Sequence, residues 1–132
     1  MGQQQLLLII LGVIIVGIAI AVGVSQFGAH STQSNKDGVT SALVNIAANA
    51  YQFKIRPTSM GGGGCAYDNS KGSSPNYAIP SKMAADDNGT YTLGTIAAST
   101  IQIKGTSSIN TAWSATCTAD DTGRTSVTYT GW

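Results

Sequence analysis

Residues 6–24, LLLIILGVIIVGIAIAVGV, decide how this chain folds. These nineteen positions carry no charge and no strongly polar side chain, and only MGQQQ stands before them. About 20 such residues cross a bilayer as an α-helix. A secretory signal would instead show a basic start and an apolar stretch of about 7–15 residues. MGQQQ holds no Lys or Arg and the apolar run is longer than that, so a cleaved signal is rejected despite the small residues Ala21-Val22-Gly23. The basic residues that normally flank a span begin only at Lys36. Gly12, Gly17, Gly23 and Gly28 recur through and just beyond the run, and Gly17/Ala21 and Ala19/Gly23 have the small-xxx-small spacing that lets helices approach closely. Bulky Val13, Ile14, Ile15, Val16, Ile18, Ile20 and Val22 alternate with them. The segment is expected to be a helix that packs on other helices.

Helical periodicity continues over 31–56. Val39, Leu43, Ile46, Ala50 and Phe53 form an i, i+4, i+7, i+11, i+14 stripe. Asn35, Asp37, Ser41, Asn45, Asn49 and Gln52 are expected on the outer face, and Asp37-Gly38 is a candidate local interruption of the helix. Pro57 ends it, because the residue before a proline is pushed out of the α region. One helix from about Gln3 to Arg56 would be about 80 Å long. Its first half is apolar all round, and its second half has one apolar face for a globular head.

GGGG at 61–64 leaves this helix rather than opening one and lacks the Lys-Ser/Thr of a phosphate loop, so a flexible junction is expected. Residues 66–89 are rich in turn formers and read as a surface loop. Period-two alternation then marks strands at 91–93, 100–104, 112–118 and 125–130. Trp113, Ala115 and Cys117 share one strand face, and Val127 and Tyr129 share another. ADDNGTYT and ADDTGRTS, starting at Ala85 and Ala119, echo each other as turns leading into strands. The expected fold is therefore α+β: a long N-terminal helix packed on an antiparallel sheet of about four strands, organised as 1–30, 31–56 and 57–132. Helix–head packing is assigned to Val39, Leu43, Ile46, Ala50, Phe53, Trp113, Val127 and Tyr129. Cys65 and Cys117 are expected to pair, closing a loop that would stabilise by about 3–4 kcal/mol; two separate thiols, one buried beside Trp113, is the other reading.

Charged residues make up 10% of the chain, there is no Glu, and the net charge is +1. Lys54 and Arg56 do not amount to a basic patch, so no nucleic-acid partner is expected. His30 is the single histidine and stands beside Ser31 without a carboxylate near it in sequence, which is no triad. Asp86/Asp87 and Asp120/Asp121 lack calcium-loop spacing and read as turn residues. No catalytic residue, cofactor or metal is expected, and the chain is not read as an enzyme. Asn88-Gly89-Thr90 is an N-glycosylation sequon.

The start GQQQLLLIILGVIIVGIAIAVG, the helix VTSALVNIAANAYQFKIRPTSMGGGG and a β-rich tail holding the second cysteine resemble the type IV pilins, in particular small bacterial pilin-like proteins. The resemblance implies a subunit held in the inner membrane by its N-terminal helix until a pilus-type assembly machinery adds it to an extracellular filament on the cell surface. Its partner is then itself in many copies. Leu6, Leu7, Ile10, Gly12, Val13, Ile14, Gly17, Ala19, Ala21 and Gly23 would line the filament core. In pilins a cut after glycine leaves an aromatic first residue and a glutamate at the fifth, which pairs with a neighbour's terminal amine. Here a cut after Gly2 would leave Gln3 first and Leu7 fifth, whereas the whole chain has Gln5 fifth. Met1 is expected to be retained, with Gln5 making the N-terminal polar contact. The residues 129–132 are expected to seat in a neighbouring head. The alternative is a monomeric single-span membrane protein, minor pilin-like or sensory, with an exported domain.

Overall fold

The computed structural model describes residues 2–71 and 76–132; the expected retention of Met1 and the 72–75 part of the expected loop lie outside them. The element order is helix α1 (Gly2–Ile55), two short 3-10 turns at Thr58–Met60 and Asn69–Lys71, then strands β1 (Gly89–Ile96), β2 (Ile101–Ser107), β3 (Ser114–Ala119) and β4 (Thr125–Thr130). The chain is therefore α+β, one long N-terminal helix and a four-stranded antiparallel sheet in the order β1-β2-β3-β4. It divides into two compact units, Met1–Ser34 and Asn35–Trp132.

In the second unit, the head, the α1 stripe meets the inward face of the sheet. Val39, Leu43, Ile46 and Ala50 are buried together with Tyr91, Ile101, Ile103, Ala115, Cys117 and Ala119. Phe53 and Val127 pack on this core partly buried. Trp113 and Tyr129 sit at its margin: Trp113 precedes β3 and stacks on Trp132 at 5.3 Å, and Tyr129 is exposed. The Trp132 indole also donates to the Ser114 carbonyl at 2.9 Å, so this side chain is seated in its own head. Alternation of inward and outward residues follows from the two-residue period of a strand.

Gly38 does not interrupt α1; a Cβ there would run into the Asn88 side chain, so glycine marks a close approach. Gly105 does the same on β2, where a Cβ would stand 3.0 Å from Val39 and 3.1 Å from Tyr91. The helix lies tight against the sheet at both points.

Three sequence expectations are corrected. Asn35 is buried rather than outward, donating to the Asn88 carbonyl at 2.9 Å and accepting from the Ser107 hydroxyl at 2.6 Å. The glycine run is a built cap rather than a flexible junction. The Gly63, Gly64 and Cys65 amides donate to the Phe53, Arg56 and Lys54 carbonyls, which a helix end otherwise leaves without partners. Gly62 and Gly63 are buried, and a Cβ on either would strike the Arg56 or Ala66 backbone. The Cys65–Cys117 bridge is not formed. Cys117 points into the core from the middle of β3, where burial raises its thiol pKa, whereas Cys65 is exposed beyond the glycine cap at φ 76°.

Lys54 continues the stripe four residues past Ala50 and is buried. Its ammonium reaches the Asp121 carbonyl at 2.6 Å and carboxylate at 2.8 Å, with the Tyr51 and Tyr67 rings 5.6 and 5.7 Å away. Beside it the Tyr67 hydroxyl donates to the Asp120 carbonyl at 2.8 Å. The end of α1 is thus clipped to the β3–β4 turn.

Candidate assembly surface

Residues 2–34 form a unit whose surface is its only notable chemistry. From Leu6 to Val24 every large apolar side chain is 53–68% exposed, and Phe27 is 75% exposed. Leu, Ile and Val extend their own helix without difficulty when packing decides, and within this unit no described residue covers them. The helix is long and apolar enough to cross a membrane. Such an apolar cylinder far exceeds the few hundred Å² that a soluble monomer exposes.

The glycines distinguish the two units. In the head, Gly38, Gly62, Gly63, Gly89 and Gly105 each face an atom that a Cβ would crowd. At Gly12, Gly17, Gly23 and Gly28 a Cβ would meet nothing within 4 Å. Each glycine inside a helix costs about 1 kcal/mol relative to alanine. Among the described residues no contact accounts for that cost at these four positions.

The expected packing residues Leu6, Leu7, Ile10, Gly12, Val13, Ile14, Gly17, Ala19, Ala21 and Gly23 are all exposed on this helix. Gln5 is exposed at its start, and His30 is exposed near its end. The Thr32 hydroxyl back-bonds to the Gly28 carbonyl at 3.0 Å, a local bond that leaves the helix intact.

The polar residues weighed as sites are occupied within the head. The Asp86 carboxylate accepts from the Asn88 and Gly89 amides and from the Tyr91 hydroxyl, and the Asp120 carboxylate from the Thr122 and Arg124 amides. These bonds are turn chemistry, and with the Thr122 hydroxyl contributing most they hold the Asp120 carboxyl below its usual pKa. Asn88 is half-buried with its carboxamide against Gly38, a poor presentation for a glycan. Among the described residues no three His, Cys, Asp or Glu side chains gather as a metal site would require. Shallow depressions beside Ile46 and Met83 and beside Phe53 and Tyr77 flank α1 in the head. Compared with known protein families, curated proteins and solved structures, the chain has no match.

Sequence reasoning missed Asn35, Lys54, Tyr67 and Tyr77 as structural polar anchors. Tyr77 donates to the Asn49 side chain at 2.7 Å, and burial pushes the Tyr67 and Tyr77 hydroxyls up to about 12. A signal existed for two of them: Asn35 stands four residues before Val39, where the stripe begins, and Lys54 four residues after Ala50 within it.

Proposed function

We propose that this protein is a structural subunit that polymerises into an extracellular, type IV pilus-like helical filament on a bacterial surface. Before assembly, the helix over residues 6–24 anchors the subunit in the inner membrane. Pilus-type machinery then transfers it to the growing fibre, where the same helix packs among its copies. The observation that carries this reading is the uncovered apolar helix whose glycines serve no contact in their own chain. In lipid alone, any apolar side chains suffice; close approach of another helix gives the glycines a purpose. Burial of this surface at about 25 cal/mol per Å² is the driving term against water, and small residues add van der Waals contact when lipid is the alternative.

Electron micrographs of fibres sheared from cells, with mass spectrometry of their subunit, test the proposal. Gly17→Leu should abolish fibres while leaving the chain in the membrane fraction. Normal fibres from that variant would refute close packing at this position. The second reading, a monomeric single-span membrane protein with an exported domain, is favoured by the same helix length and predicts native material recovered only as dispersed chains in detergent.

A further inference from the structure

The two edges of the sheet are treated differently. On β1 the main chain of Gly89 and Tyr91 faces away from β2, and it is already engaged: the Asp86 amide donates to the Gly89 carbonyl and the Tyr91 amide to the Ala84 carbonyl. The rest of that edge is broken by a register shift between Leu93 and Ile96. A strap and a bulge are two of the devices that keep a sheet edge from pairing.

β4 has neither. Thr125–Thr130 reads TSVTYT, with no charge, proline, glycine or register shift, and it pairs in order with β3. The Asp120 amide bonds to the Arg124 carbonyl, so the bonded pairs along this ladder are Thr118–Ser126, Thr116–Thr128 and Ser114–Thr130. The amides and carbonyls of Thr125, Val127 and Tyr129 consequently point to the open side. No described strand pairs there.

We propose that the β4 edge is a self-pairing site, taking β4 of a second copy in antiparallel register about Val127. That register sets Thr125 against the second copy's Tyr129 and Val127 against its equivalent. All three outward main-chain positions are satisfied on each side, and Arg124 falls opposite Thr130, so no like charges meet. The central inward side chain also fits. On α1, Thr40 bonds to the Tyr129 hydroxyl at 2.8 Å and Tyr51 lies under Gly123. Val44, four residues on from Thr40 on that side of α1 and 40% exposed, is assigned by this spacing to the middle of β4. A second β4 brings its own Val127 to that place. The closed β1 edge leaves no equally regular strand for a head-to-tail continuation.

The two-fold reverses the direction of residues 35–55 of α1 along with the strand. Copies within one polar fibre all run the same way, so this pairing ties copies of two fibres. What is tied rests on the polymer reading; the strand pairing itself does not.

Disulfide trapping in full-length chains dispersed in detergent tests it without any fibre. In a Cys65→Ser background, Ser126→Cys chains are mixed with Thr128→Cys chains; both positions are exposed on the outer face. The register makes residues 126 and 128 of the two copies a non-bonded pair about 4.5 Å apart at Cα, within the reach of about 4.4–6.8 Å that a disulfide needs. Like residues sit diagonally, about 7–8 Å apart. The mixture should oxidise to dimer about tenfold faster than either variant alone. Equal rates for the mixture and the separate variants, or no dimer in any of them, would overturn the proposal.

Discussion

Removing one side of the buried amide–hydroxyl contact between α1 and β2 should cost nearly as much as removing both. Asn35 is 5% exposed and Ser107 2% exposed, and their mutual bond of 2.6 Å links residues 72 apart in sequence. Asn35→Ala strips the Ser107 hydroxyl of its acceptor. The Asn88 carbonyl loses the Asn35 amide but keeps the Ser108 amide at 2.9 Å, so only one group is orphaned. An unsatisfied buried group costs about 1–3 kcal/mol. Alanine returns up to about 0.7 kcal/mol of helix propensity relative to asparagine, leaving a net loss of about 1 kcal/mol. Ser107→Ala orphans the Asn35 carbonyl oxygen and removes the acceptor of the Ile109 amide, at 3.1 Å, for a loss of about 2–3 kcal/mol.

The double variant leaves neither partner stranded. Its loss should fall short of the sum of the two single losses by about 1–2 kcal/mol, within the range found for contacting residues. Thermal unfolding of the full chain in detergent, followed by Trp113 and Trp132 fluorescence, reads this directly. Each kcal/mol should move the head's Tm by roughly 4–8 °C. Strict additivity would show that the two side chains do not depend on each other and would refute the mutual satisfaction of Asn35 and Ser107.

Gly105→Val should destabilise the head by about 1–3 kcal/mol, because the new methyls meet Val39 and Tyr91 in a space already filled; a rise in Tm would show the helix free to lift. Lys54→Met should change stability by less than about 1 kcal/mol, since an apolar stem of similar size replaces the buried ammonium and the Asp121 carboxylate left behind is exposed to water. Asp121→Asn should cost about 1–2 kcal/mol by leaving the ammonium without its counter-charge, a figure reduced because the carboxylate is 69% exposed; chemical denaturation of the two variants checks the order. Burial raises the Tyr67 and Tyr77 hydroxyls from 10.0 to about 12. The folded state therefore holds these protons more tightly, and the stability they contribute is complete below pH 10 and is lost as pH rises toward 12. Tyrosinate absorbance should appear together with unfolding in that window, and ionisation of both groups at pH 10 in the folded head would contradict their burial.

The helix and sheet were legible because both are written in local period. The stripe from Val39 to Phe53 needs only spacing to be seen, and the alternation of TSVTYT places β4 at its observed limits, Thr125–Thr130. The glycine run was misread because its role depends on carbonyls that only a formed helix end presents. Asn35 and Lys54 look like surface residues until their partners at Ser107 and Asp121 are known, and those lie far away in the chain. Tyr67 and Tyr77 enter the core from a stretch with no periodicity at all. The apolar surface over residues 6–24 was plain in the sequence, whereas the contrast between needed and unneeded glycines requires coordinates.

That contrast bears on whether residues 6–24 are merely a core segment lacking its place. The head already closes its core: among the described residues no buried side-chain nitrogen or oxygen lacks a partner. Its α1 stripe is fully covered at Val39, Leu43, Ile46 and Ala50, and the end of the helix is capped and clipped. A head so completed needs no further apolar helix from its own chain. In the proposed reading, cover for the N-terminal segment comes from lipid before assembly and from other chains after it. Lipid accepts leucine, isoleucine and valine without asking for glycine, so the four glycines with nothing near them favour other chains as the final surroundings. Replacing Gly12, Gly17 and Gly23 by alanine together separates the two, because alanine keeps the segment apolar and strengthens the isolated helix by about 1 kcal/mol per site. Membrane retention should then persist while fibre assembly weakens; assembly that strengthens along with the helix would assign the glycines no role in contact between chains.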